Sequence, residues 1–104
     1  MTSQTPYSES LERVRSVLVF FAATGAANAA VLAELESEVR IAVFAARAEV
    51  VPLDEVRADL DRLATVTLPA SAAATASRMM NGWAVIAFDR APVRSQPGRD
   101  ELRS

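Results

Sequence analysis

The chain has 104 residues, enough for one small domain with one core and too few for two. Its eleven basic residues are all arginine, 21 residues are alanine, and lysine, histidine and cysteine are absent. With a formal net charge of −2 it carries no global basic field, which argues against wholesale coating of nucleic acid.

The missing residue types remove much of catalytic chemistry. Zinc, copper and haem sites draw on imidazole or thiolate, and the chain has neither. Ser-His-Asp and Cys-His arrangements cannot be assembled, nor can a lysine Schiff base or a P-loop lysine. Three scattered glycines form no phosphate cradle. No cofactor, metal site or catalytic residue is therefore expected. With no cysteine, redox chemistry says nothing of the compartment. The first residues, Met1 to Pro6, lack the basic and apolar regions of a signal peptide. Arg99-Asp100-Glu101-Leu102 is followed by Arg103 and Ser104, so it is not a retention signal. Arginine without lysine, beside abundant alanine, suggests a GC-rich bacterial genome, and a cytoplasmic protein is expected.

In chain order, Thr5 is positioned to cap a helix, with Pro6 in the first turn. Tyr7, Leu11, Val14, Leu18 and Phe21 recur at steps of three and four, so helix 1 is predicted over 6–24. The rhythm continues through Gly25, Asn28, Leu32, Leu35, Val39, Ala42 and Ala46. Two readings fit: one long kinked helix, or a helical hairpin broken around Thr24–Asn28, with helix 2 over 28–50. Pro52 ends that segment, and Asp54 and Glu55 suit the first turn of helix 3 over 53–65. Leu53, Val56, Leu60 and Leu63 form its apolar stripe, with Arg57 and Asp61 on the wet side. Pro69 restarts the chain. Ala72, Ala76, Met79, Trp83 and Ile86 mark helix 4 over 70–89, although Gly82 weakens it. From Ala91 the sequence loses periodicity. The domain reading is one helical unit over 1–90 and a flexible tail over 91–104. The fold class is all-α, a small bundle of about four helices.

Two acidic groups, Glu34/Glu36/Glu38 and Asp54/Glu55/Asp59/Asp61, match no calcium-loop spacing and read as solvated helix faces. Residues 49–66 carry a charge of −3 and the last 38 residues +2, a dipolar layout that suits association. Helices 3 and 4 superficially suit a helix-turn-helix. The candidate recognition helix holds Arg78 near its middle and is otherwise mostly alanine, so no nucleic acid is expected. Ser16 to Ala33 is an uncharged run of eighteen residues. It fits either a buried soluble hairpin, in which alanines at 22–30 let helices approach closely, or a short membrane helix.

Apolar residues also lie off the main seam: Val17, Val19 and Phe20 in helix 1, and Val31, Ile41, Val43 and Phe44 in helix 2. A monomer of this size has too few helices to cover so many faces. A homodimer through helices 1 and 2 is therefore expected, with Leu11, Val14, Leu18, Phe21, Leu32, Leu35 and Val39 at its interface. Met79, Met80 and Trp83 group flexible and aromatic side chains into a possible ligand or partner surface. The functional expectation is a non-catalytic assembly, adaptor or regulatory subunit. The alternatives are a bundle that holds an apolar ligand and a membrane-associated subunit.

Overall fold

A computed structural model describes residues 5–24 and 28–91. It contains four helices, α1 (Pro6–Thr24), α2 (Ala29–Ala48), α3 (Leu53–Thr67) and α4 (Ala70–Arg90), and no strand among the described residues. The predicted flexible tail over 91–104 lies outside the described residues except for Ala91, as do Gly25 and Ala26.

Helix boundaries follow local chemistry. The Thr5 hydroxyl accepts the Ser8 N–H at 3.0 Å, capping α1. The Tyr7 N–H donates to a Glu49 carboxylate oxygen at 2.9 Å, so a residue at the end of α2 satisfies a free amide at the start of α1. Asn28 caps α2 by accepting the Ala30 and Val31 N–H groups at 3.1 and 3.2 Å. This cap ends the choice between one long helix and two: α2 starts anew after Asn28, so the chain forms a hairpin. Pro52 and Pro69 stand at the N-caps of α3 and α4 without a side-chain bond. In each case the proline carbonyl accepts the first helical bond.

The end of α2 is a Schellman motif. The Val51 N–H reaches the Ala46 carbonyl at 2.8 Å, and the Val50 N–H reaches Arg47 at 3.2 Å. That geometry needs a left-handed residue, and Val50 supplies it at φ 60°. For a β-branched residue this is strained by about 1–2 kcal/mol. Val50 is 78% exposed, so its side chain contributes little burial in return. Gly82 is the opposite case: it lies within α4, and an added Cβ would meet nothing within 4 Å. Val50→Gly and Gly82→Ala are each expected to stabilise the fold by about 1 kcal/mol. Thermal unfolding of the two variants checks this; a lowered melting temperature for Val50→Gly would contradict the strained cap.

Two helical hairpins, α1–α2 and α3–α4, pack together, with α1 against α3 and α2 against α4. The core holds Val14, Leu18, Leu35, Val39, Val43, Val56, Leu60 and Met80, all fully buried. Ala42, Ala46, Ala64, Ala76 and Ala84 are also fully buried, so small residues let the backbones approach closely where the hairpins meet. The alanines at the hairpin tip differ from expectation. Ala22, Ala23, Ala29 and Ala30 are exposed, and no third helix covers them among the described residues. None of the helices among the described residues is long and apolar enough to cross a membrane. The uncharged run over 16–33 is divided between two helices.

The α3–α4 hairpin is tied by side chains. Arg57 Nε donates to Asn81 Oδ1 at 3.0 Å, and the Ser77 hydroxyl donates to Asp61 at 2.6 Å. Arg57 and Asp61 are exposed on the wet side of α3, as their spacing suggested. On that side both also reach across to α4. Asn81 Nδ2 completes the line by donating to the Ser77 carbonyl at 2.7 Å.

Candidate interaction surface

An apolar surface depression lies between α2 and α4. Residues four apart on α2 share a face, which brings Glu36, Arg40 and Phe44 into one row. On α4, Trp83, Ile86, Ala87 and Arg90 form the facing row by the same spacing. Together they line a cleft of about 310 Å³. It adjoins a second depression through Arg40 and Phe44, which extends over Ser37 and Ile41. A third, sharing Ile86 and Arg90, extends past Val85 and Asp89 to Leu53. The three form one apolar strip edged by charges of both signs. Phe44 is 48% exposed and Ile86 55%, so much of the strip faces solvent. The strip has a firm base, where the Arg47 guanidinium stacks 4.3 Å from the Phe88 ring centre and joins α2 to α4.

The composition of α4 explains why the strip exists. Its buried side is Ala73, Ala76, Met80, Ala84 and Ala87. The bulkier row of Met79, Trp83 and Ile86, whose spacing marked helix 4, does not face inward. Trp83 and Met79 are instead half-buried at the edge, and Ile86 is exposed. Small side chains let α4 sit close to its neighbours, and that closeness moves the large ones to the rim. Of the surface expected from Met79, Met80 and Trp83, only Trp83 lines the cleft. Met80 is wholly buried, and Met79 packs against the core.

The residues expected at a dimer seam sit elsewhere. Val14, Leu18, Phe21, Leu35 and Val39 are buried in the chain's own core, and Leu11 and Leu32 are half-buried against it. Their three–four spacing is met by the second hairpin of the same chain. The apolar residues noted off that seam divide. Val17 and Val43 are buried and Val31 is partly buried, whereas Val19, Phe20, Ile41 and Phe44 are exposed.

A second cluster of interest surrounds Tyr7. Its hydroxyl donates to Asp59 Oδ2 at 2.7 Å, and Arg62 donates to Asp59 Oδ1 at 2.6 Å. Burial raises the Tyr7 pKa far above the ordinary phenol range, and the Asp59 hydrogen bond and the charges of Asp59 and Glu55 push it further; Arg62 opposes them. The cluster is a structural clamp between α1 and α3. It was not legible in the sequence, because 52 positions separate its two members. The acidic residues around it diverge: Asp59 turns to Tyr7, and Asp61 turns to Ser77. Among the described residues no three carboxylates gather closely enough to hold a metal ion.

Compared with protein-family models, curated proteins and solved structures, the chain matches none of them.

Proposed function

We propose that this is a non-catalytic helical protein that works through protein–protein contacts, as an assembly, adaptor or regulatory subunit, and that it associates with a second copy of itself. One observation carries the reading. After the core has closed, Val19 and Phe20 on α1, Ile41 and Phe44 on α2, and Val85 and Ile86 on α4 remain exposed. Full burial of such a side chain is worth roughly 1.5–3 kcal/mol, so covering several of them together favours association. A two-fold dimer is the simplest closed arrangement. The absence of histidine, cysteine and lysine from the chain supports a binding role over a catalytic one. Arginine-only basicity supports a bacterial source, and a cytoplasmic setting completes the proposal.

Light scattering on the purified chain at micromolar concentration tests this. A dimeric mass is expected, and a strict monomer would refute self-association. A second reading rests on Trp83 in the α2–α4 cleft, where an apolar small molecule would find an aromatic wall. Native mass spectrometry of freshly purified protein separates the two, since a retained small molecule favours the second.

A further inference from the structure

The two hairpins are joined by a short linker, Glu49 to Pro52, between the end of α2 and the start of α3. Its residues are poorly matched to the turn they make. Val50 stands in the left-handed region at φ 60°, where a glycine would be unstrained. Val51 precedes a proline, which favours an extended backbone, and Pro52 is itself extended at φ −69° and ψ 153°. Two β-branched residues followed by proline prefer a straight path, and the closed chain bends the first of them out of it.

Polar side-chain ties follow the hairpins. Glu49 holds the Tyr7 N–H within the first, and the Arg57–Asn81 and Ser77–Asp61 bonds lie within the second. The seam between the hairpins is chiefly apolar, crossed by the Tyr7–Asp59 bond and the Arg47–Phe88 stack. Each hairpin is thus a unit with its own fastenings, and units of this kind open cooperatively.

We propose that two copies of this chain exchange hairpins: the linker straightens, and the α1–α2 hairpin of each copy packs on the α3–α4 hairpin of the other. This rests on the reading that the protein self-associates, and it states how the copies are joined. The contacts between hairpins are remade between copies, Tyr7–Asp59 and Arg47–Phe88 included, so exchange loses no core burial. The linker is what differs, and there the Val50 strain is released once in each copy. A short hinge under strain is the condition that favours exchange. Crossed linkers also bring the linker ends of the two assemblies together. Leu53, the first residue past the linker, shares a depression with the exposed Val85 and Ile86, so exchange sets a second copy near them.

Sedimentation equilibrium of the full chain decides the matter. The wild-type chain is expected to be dimeric. Val50→Gly removes the strain of the closed form twice per dimer, and is expected to weaken the dimer roughly thirty-fold. The same variant should raise the melting temperature, and a merely structural defect would not pair a firmer fold with a weaker dimer. Inserting a flexible segment of about six glycine and serine residues between Val50 and Val51 should give a monomer, because a longer linker closes without strain at little entropic cost. An unchanged helical circular dichroism spectrum verifies that both variants fold. A dimer that survives the insertion overturns hairpin exchange while leaving self-association standing. A dimer that the insertion abolishes and Val50→Gly leaves at full strength overturns the part assigned to Val50. A wild-type chain that stays monomeric overturns both the exchange and the reading beneath it.

Discussion

Leu60→Ala is expected to cost about 3 kcal/mol and to lower the melting temperature by roughly 15 °C. Leu60 is fully buried on α3, the shortest of the four helices. Val56 and Ala64 are its fully buried neighbours on the same helix, so few other groups there can take over its contacts. The size of the loss depends on how far the surroundings can collapse into the space. In this core they can collapse little. Ala42, Ala46, Ala76 and Ala84 already bring the backbones close, and their methyl groups are too short to fill a cavity. A domain of this length has about 5–15 kcal/mol of stability in all, so the variant stays folded at room temperature with a reduced margin. Urea or thermal unfolding reads the effect. A loss below about 1 kcal/mol would mean that Leu60 lies outside a close-packed core.

Tyr7→Phe is expected to cost about 2 kcal/mol, because it leaves Asp59 short of a buried donor while keeping the ring. The same contact predicts a pH dependence whose sign follows from linkage. The Tyr7 phenol has a folded pKa raised above its unfolded value, which is about 10. Below pH 10 both states are protonated, and the contribution is fully present. Above it the unfolded chain ionises while the folded one holds its proton, so stability is lost as pH climbs toward the folded pKa. Tyr7 is the only tyrosine, so phenolate absorbance reports it alone. The absorbance is expected to appear together with unfolding, and Tyr7→Phe should blunt the alkaline transition. Phenolate forming near pH 10 in a chain that is still helical would show that the buried contact is absent.

Helix ends were legible because they depend on neighbours in sequence. Thr5, Pro6, Asn28, Pro52 and Pro69 act within one turn, and each helix begins within a residue of where such signals put it. The inward stripes of α1 and α2 were legible for the same reason, since one row of large apolar residues dominates each. On α4 the pattern misled. Two rows compete there, one of alanines with Met80 and one with Met79, Trp83 and Ile86. Size favours the second row, but the closeness of the packed helices selects the first, and packing distance is not written in periodicity. Pairings between hairpins were illegible too. Nothing near Glu49 shows that it will cap α1, and nothing near Arg57 shows that Asn81 will draw it from Asp61. The candidate surface was half legible. The off-seam Ile41 and Phe44 pointed to it, whereas the contribution of α4 needed the fold.

Trp83 is the only tryptophan in the chain, and it lies half-buried in the α2–α4 cleft. Its emission, followed through a dilution series that spans dissociation of the dimer, is the most direct test of the central claim. Emission is expected to shift to the red as association is lost on dilution, because Trp83 sits beside the exposed Phe44 and Ile86. A spectrum that stays fixed across the series, with light scattering showing a strict monomer throughout, would contradict self-association.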